Sequence, residues 1–121
     1  MSRDEWLYLD DIQSCCQKVL RFTEGITFDT FRSDEKTFDA VVRNLEIIGE
    51  AAKHVSQVIR ERYPEVSWRA MAGFRDIVTH AYFRVNAYIV WDIVQTKIPQ
   101  LLEQTKNILS DASADDDLPQ I

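Results

Sequence analysis

Residues 38–59 read FDAVVRNLEIIGEAAKHVSQVI, and this stretch decides the fold class. Apolar residues recur through it at spacings of three and four, which is the period of an α-helix. The main stripe consists of Phe38, Val41, Leu45, Ile48, Ala52, Val55 and Ile59. A second stripe on roughly the opposite side consists of Ala40, Asn44, Ile47, Ala51, His54 and Val58. A helix that packs on two sides needs two neighbours, and one of them could belong to a second subunit.

The sequence also predicts where this helix begins and ends. Ser33 or Asp34 can cap its start, and Tyr63 before Pro64 ends it, because the residue before proline avoids the α region. One continuous helix is therefore predicted between these points. Gly49 lies inside it at a cost of about 1 kcal/mol relative to alanine, so we expect another helix to approach closely there.

The N-terminal segment predicts a first helix. Ser2 and Glu5 have the spacing of a capping box, and apolar residues then recur at helical spacing until Gly25. A connector with two aromatic anchors is predicted for residues 26–32. Cys15 and Cys16 are adjacent and so cannot easily bridge each other, which indicates two small core residues in a reducing compartment.

The C-terminal half predicts two more helices. Ser67 can cap a third helix and Asn86 a fourth, in which Pro99 predicts a kink or short break. Residues 110–121 are acidic and carry no helical stripe, so they are predicted to be a disordered tail after a helical domain of residues 1–109. The tryptophans Trp6, Trp68 and Trp91 fit core stripes.

Composition narrows the class further. The 121 residues fit one domain, and only three Gly and three Pro occur, which argues against a many-turned β-sandwich. The fold class is predicted to be all-α, an up-and-down helical bundle of about four to five helices. The first residues do not resemble a signal peptide, and no apolar run is long enough for a membrane span, which predicts a cytoplasmic protein with no membrane partner.

The net charge of −6 is unevenly placed. Residues 43–84 hold seven Lys or Arg against five Asp or Glu, so this span is +2 and the remainder −8. An acidic protein is a poor general nucleic-acid binder, because affinity for phosphate backbones comes largely from cations. Local binding at an arginine-bearing cleft is still compatible with this pattern, although a solvated charged face is the simpler interpretation.

The segment from Arg75 to Tyr82 carries the candidate chemistry. His80 can take and return protons near neutral pH, and Arg75 offers a fork of donors suited to a phosphate. Together they suffice in principle to cleave RNA through its 2′-hydroxyl, with no metal or cofactor. A salt-bridged helix end is the structural alternative for this segment. His54 is expected to be a packed or interfacial histidine.

Spacing constrains this candidate site. On a continuous helix, positions five apart are rotated by about 140°, so Arg75 and His80 of one chain point to different sides. Asp76 and His80 are four apart and share a face, so Asp76 could orient the imidazole. A two-fold dimer would bring both copies of the motif to one cleft.

Three blocks of sequence resemble the HepT family of the HEPN superfamily. They are WRAMAGFRDIVTHAYF at 68–83, NLEIIGEAAK at 44–53 and VWDIV at 90–94. The family hallmark is Arg, four residues, His, one residue and Tyr, which Arg75, His80 and Tyr82 match. The resemblance covers about residues 3–109. It implies an all-helical homodimer and a metal-independent endoribonuclease, with Arg75 and His80 as its catalytic residues, that acts as the toxin of a toxin–antitoxin pair.

The resemblance also implies a partner. The usual antitoxin is a nucleotidyltransferase of the MntA type, which is associated with AMP transfer to the motif tyrosine, here Tyr82. Such an adduct two residues from His80 would fill the cleft and repel RNA. Asp76 departs from the family, where many members carry Asn, and its carboxylate would repel RNA. The alternative function is a non-catalytic helical dimer that binds a nucleotidyltransferase or a nucleotide.

Overall fold

In the computed structural model, residues 3–84 and 86–114 are described, with side chains described for residues 4–79 and 86–112. These residues form helices and no strand, which confirms the all-α class. The helices are α1 (Arg3–Thr23), α2 (Phe28–Ser33), α3 (Glu35–Lys53), α4 (Gln57–Arg62), α5 (Trp68–Arg84), α6 (Ala87–Asp92), a π-helical segment (Ile93–Lys97) and α7 (Ile98–Ala114).

The long helices build the core. α3 packs against α1 on one side and α5 on the other, while α7 packs against α1. The main stripe of α3 faces this core, since Val41, Leu45 and Ile48 are fully buried. The second stripe is only partly covered, with Ala51 buried and His54 exposed. No described helix is long and apolar enough to cross a membrane.

α3 and α5 approach each other closely at Gly49, as its position in the sequence predicts. A Cβ added at Gly49 would lie 3.0 Å from the carbonyl oxygen of Met71 and 3.4 Å from the backbone nitrogen of Arg75. Both of these are backbone atoms of α5, which cannot move aside as a side chain could. The absence of a side chain at Gly49 therefore sets how near α5 lies to α3.

The single unbroken helix predicted around Gly49 is wrong, because the chain leaves the α-helix at residues 54–56. Ser56 caps the start of α4 with its hydroxyl. Arg60 then reaches back, and its guanidinium donates to the carbonyl oxygens of Ala52 at 2.6 Å and Val55 at 3.0 Å. These bonds satisfy carbonyl acceptors at the end of α3 and so stabilise the break. Ser56 and Arg60 are also compatible with a continuous helix, which is why the sequence pattern did not predict the break.

Glu5 has a contact that the capping-box prediction did not include. Its carboxylate accepts a hydrogen bond from the backbone N–H of Ser56 at 2.8 Å. The start of α1 is thereby tied to the junction between α3 and α4. Ser2, the other half of the predicted capping box, lies outside the described residues.

The connector predicted for residues 26–32 is also corrected, because most of it forms α2. The Thr27 hydroxyl accepts from the backbone N–H of Thr30 and caps this short helix. Phe31 is fully buried and packs 5.1 Å from the ring of Trp91, centroid to centroid. A helix as short as α2 is marginal on its own, so burial of Phe31 helps to stabilise it. Asp34 caps α3, as one of the two predicted candidates.

The irregularity predicted near Pro99 is a π-helical segment and not a break. Ile98 donates its N–H to the carbonyl of Ile93, five residues back, and Pro99 falls in the first turn of α7. Proline lacks an N–H, so a loosened turn before it accommodates the missing bond. The predicted cap at Asn86 is confirmed by its side-chain bond to the N–H of Ile89.

The helical region extends past residue 109, where the predicted domain ends. α7 continues to Ala114, so residues 110–114 are helical and the predicted tail is five residues too long at its start. Ala112 is buried, and the Tyr63 hydroxyl donates to the carboxylate of Asp111 at 3.2 Å. These contacts explain why an acidic stretch without a full apolar stripe remains helical. Residues 115–121 lie outside the described part of the chain.

The two cysteines and three tryptophans occupy the core or its margin, as predicted. Cys15 and Cys16 are buried free thiols, and burial raises the pKa of Cys16 to about 12. A thiol with so high a pKa is an inert packing group at neutral pH. Trp68 is buried, while Trp6 and Trp91 are partly buried against the core.

Candidate active site

α5 carries the whole candidate motif on one continuous helix. Arg75, Asp76, His80 and Tyr82 all lie within it. The helix forms because its buried face, which includes Met71, Phe74 and Val78, packs against the core, while Arg75 and Asp76 are exposed. The helix is unbroken between positions 75 and 80, so these positions are about 140° apart around its axis. The side chains of His80 and Tyr82 lie outside the described residues.

The Arg75 side chain of α5 contacts α3 at Glu50, the residue that follows Gly49. Its Nη1 lies 3.3 Å from Oε2 of Glu50, and the two side chains are 57% and 55% exposed. An ion pair this exposed contributes only about 0–1 kcal/mol, because water and salt screen it. Arg75 can therefore exchange the Glu50 carboxylate for another anion at little cost.

His54 lies near Glu50, at the C-terminal end of α3. Its ring stacks on Tyr8 of α1 with centroids 4.8 Å apart and planes 18° from parallel. Its Nε2 lies 3.8 Å from Oε1 of Glu50. Glu50 thus bridges Arg75 and His54. The sequence predicted a packed or interfacial role for His54 and not a place in this cluster, although a spacing of four puts Glu50 and His54 on one helix face.

These side chains open onto a cleft of about 390 Å³ between α1, α3 and α5. That volume is within the roughly 300–1,000 Å³ range of small-molecule sites. Among the residues with described side chains, the lining contains two arginines, three carboxylates and two aromatic rings. The lining residues are Tyr8, Asp11, Arg43, Glu46, Ile47, Glu50, Ala51, His54 and Arg75.

Asp76 takes no part in lining this cleft. It is exposed on α5, one residue from Arg75 and four from His80. The orienting role assigned to it toward His80 stays a prediction. Over the part of the chain with described side chains, no three His, Cys, Asp or Glu residues come together to hold a metal ion.

Comparison with known proteins gives consistent matches over most of the chain. HepT-like ribonucleases match as a family over residues 12–108. A protein of Methanocaldococcus jannaschii named "Putative RNase MJ0127" is 39% identical over 115 residues, covering 95% of each chain. "Probable ribonuclease HepT" of Thermococcus cleftensis is 43% identical over 101 residues, covering 84% of this chain and 92% of its own. No solved structure matches significantly.

The helical architecture and the matched region define an all-α protein of the HEPN fold. More particularly, the chain belongs to the HepT-like ribonuclease family. The matched residues include α3, the cleft-lining part of α5 and the positions of the motif from Arg75 to Tyr82.

Proposed function

We propose that this protein is a metal-independent endoribonuclease of toxin type, which cleaves cellular RNA in the cytoplasm. The observation that carries the proposal is the position of Arg75, exposed on a cleft wall and weakly paired to Glu50. It lies on the same helix as His80. Membership of the HepT-like ribonuclease family supports the same class of reaction.

The proposed reaction uses only groups of the RNA and of these two residues. The 2′-hydroxyl oxygen attacks the adjacent phosphorus as His80 removes its proton, and the bond to the 5′-oxygen breaks. The His80 imidazolium formed in this way gives its proton to the departing 5′-oxygen, and the phosphate is left as a 2′,3′-cyclic ester. Arg75 donates two hydrogen bonds to the phosphate and stabilises the charge that builds up on it.

A homodimer is part of the proposal. Positions 75 and 80 are about 140° apart on α5, so one chain does not readily direct both side chains to the same phosphate. A two-fold axis near α5 would pair Arg75 of one subunit with His80 of the other. The partly covered second stripe of α3 is consistent with a neighbour that lies outside the single chain.

The chemistry has a direct test in the substrate. Purified protein is expected to cut a short RNA in the presence of EDTA and to leave 2′,3′-cyclic phosphate ends. The same oligonucleotide with 2′-O-methyl groups should be uncut, because the nucleophile is blocked. Mass spectrometry of the products measures both results. Loss of cleavage in EDTA with recovery on added Mg²⁺ would refute a metal-independent reaction.

Glu50 competes with RNA for Arg75 under this proposal. Glu50→Gln is expected to lower KM for RNA about threefold, since an exposed charge pair of under 1 kcal/mol is removed, while kcat changes less than twofold. Steady-state cleavage of a fluorogenic RNA measures both. Glu35→Gln makes the same change of charge on α3 away from the cleft and serves as the control. A lowered kcat at unchanged KM would instead show that Glu50 positions Arg75.

We further propose that an MntA-type nucleotidyltransferase is the antitoxin and that it transfers AMP to Tyr82. Intact mass of the protein co-expressed with this partner should rise by one or more AMP units, and Tyr82→Phe should abolish the gain. The modified protein is expected to lose RNA cleavage, because the added phosphate repels RNA. A protein that is neutralised at unchanged mass would show that the partner acts by covering the site alone.

A further inference from the structure

The cleft beside Arg75 contains a feature that phosphate binding does not require, the stacked pair of Tyr8 and His54. Tyr8 comes from α1 and His54 from the end of α3, and both rings line the cleft. The side chain of His54 is 51% exposed although one ring face is covered by Tyr8. Exposed aromatic surface in a nucleic-acid site is suited to stacking on a base.

The polar side chains of the lining are complementary to the hydrogen-bonding edge of guanine. Glu46 and Arg43 form a loose pair at 3.8 Å, and Asp11 lines the cleft with them. A carboxylate can accept from the adjacent N1–H and amino group of guanine, and an arginine can donate to its O6 and N7. Adenine and cytosine present an acceptor nitrogen beside their amino groups, and uracil has no amino group, so none of them offers a carboxylate the two adjacent donors of guanine.

Carboxylates would repel a second phosphate at this place, which favours a base over backbone. Among the described lining residues, three carboxylates outnumber two arginines, so the cleft has no net positive charge. Arg75 borders the same cleft. A base seated on the Tyr8–His54 pair would therefore belong to a nucleotide next to the phosphate held by Arg75.

We propose that this cleft binds a guanine base of the RNA substrate, stacked on the Tyr8–His54 pair and read by the carboxylates of the lining. The inference rests on the proposed ribonuclease function and names its substrate preference. It makes cleavage favour phosphates next to guanosine. Tyr8 and His54 are then specificity residues, distinct from Arg75 and His80.

Binding of mononucleotides tests the site without any cleavage. The His80→Ala protein is titrated with GMP, IMP and UMP by calorimetry. IMP differs from GMP only in the missing amino group, so GMP is expected to bind about tenfold more tightly than IMP and more tightly still than UMP. Equal affinity for GMP and UMP would overturn the proposal, whatever the nuclease activity of the wild-type protein.

Variants of the aromatic pair give the second arm. Tyr8→Leu with His54→Leu is expected to weaken GMP binding at least tenfold and to remove the guanosine bias in sequenced cleavage ends, with cleavage slowed but not abolished because Arg75 and His80 remain. Lys53→Ala, at the exposed end of α3 and outside the cleft, is the matched control and should keep both. Circular dichroism checks the helical fold of each variant. An unchanged bias in the folded double variant would also overturn the proposal.

Discussion

Arg75→Ala is expected to lower RNA cleavage at least a hundredfold, on the order of the loss of one preorganised donor to a transition-state charge. His80→Ala should cost about 10²–10⁴-fold through lost proton transfer. If the proposed toxin function is right, expression of the wild type should arrest growth and expression of either variant should not. Initial rates on a fluorogenic RNA and colony counts after induction measure these effects.

The fold should tolerate the Arg75 change. Its side chain is 57% exposed, and its pair with Glu50 contributes no more than about 1 kcal/mol. Arg69→Ala is the matched control, because Arg69 is exposed on α5 but does not line the cleft. The proposed function fails if purified Arg75→Ala or His80→Ala cuts RNA as fast as the wild type. It also fails if a well-folded, unmodified wild type cuts no RNA at all, which would favour the non-catalytic binding alternative.

Gly49→Val is expected to have the largest effect on stability, lowering the free energy of unfolding by about 3 kcal/mol, at the upper end of overpacking costs. Even one added carbon would lie 3.0 Å from the Met71 carbonyl oxygen, and valine adds two more. The midpoint of thermal unfolding should fall by about 10 °C. Urea and thermal denaturation followed by circular dichroism measure these changes.

The control for this prediction is Gly73→Ala on α5. Nothing lies within 4 Å of a Cβ at Gly73, so alanine should stabilise the helix by about 0.5–1 kcal/mol. Opposite signs at the two glycines would separate close helix contact from helix propensity. If Gly49→Val proves as stable as the wild type, α3 and α5 can move apart freely. The close contact would then not be what fixes Arg75 beside Glu50.

Local sequence signals predicted much of the fold. Helical spacing located the long helices, and short-range chemistry placed the caps at Asp34 and Asn86. The errors arose where contacts distant in sequence override the local pattern. The break after α3 is stabilised by Arg60 reaching back, and α2 is stabilised by burial of Phe31. Neither contact changes the apolar period from which helices are inferred.

The candidate site was likewise only partly predictable from the sequence. The motif residues Arg75 and His80 were found from residue type and family resemblance, and the 140° separation followed from helix geometry alone. The grouping of Arg75 with Glu50 and His54 could not be found so, because α3 and α5 are separate in sequence. Tyr8 gave no functional signal, since an aromatic residue on a helix stripe is usually a core residue.

The sequence by itself determined the helical class, the close approach at Gly49 and the chemistry available at the motif, because each depends on local spacing or residue type. Only the tertiary structure decided which other side chains lie beside Arg75. The packing of α3 between α1 and α5 brings Tyr8, His54 and Arg75 to one cleft. Their proximity depends on the crossing of helices, which is set by the whole core and not by any one segment.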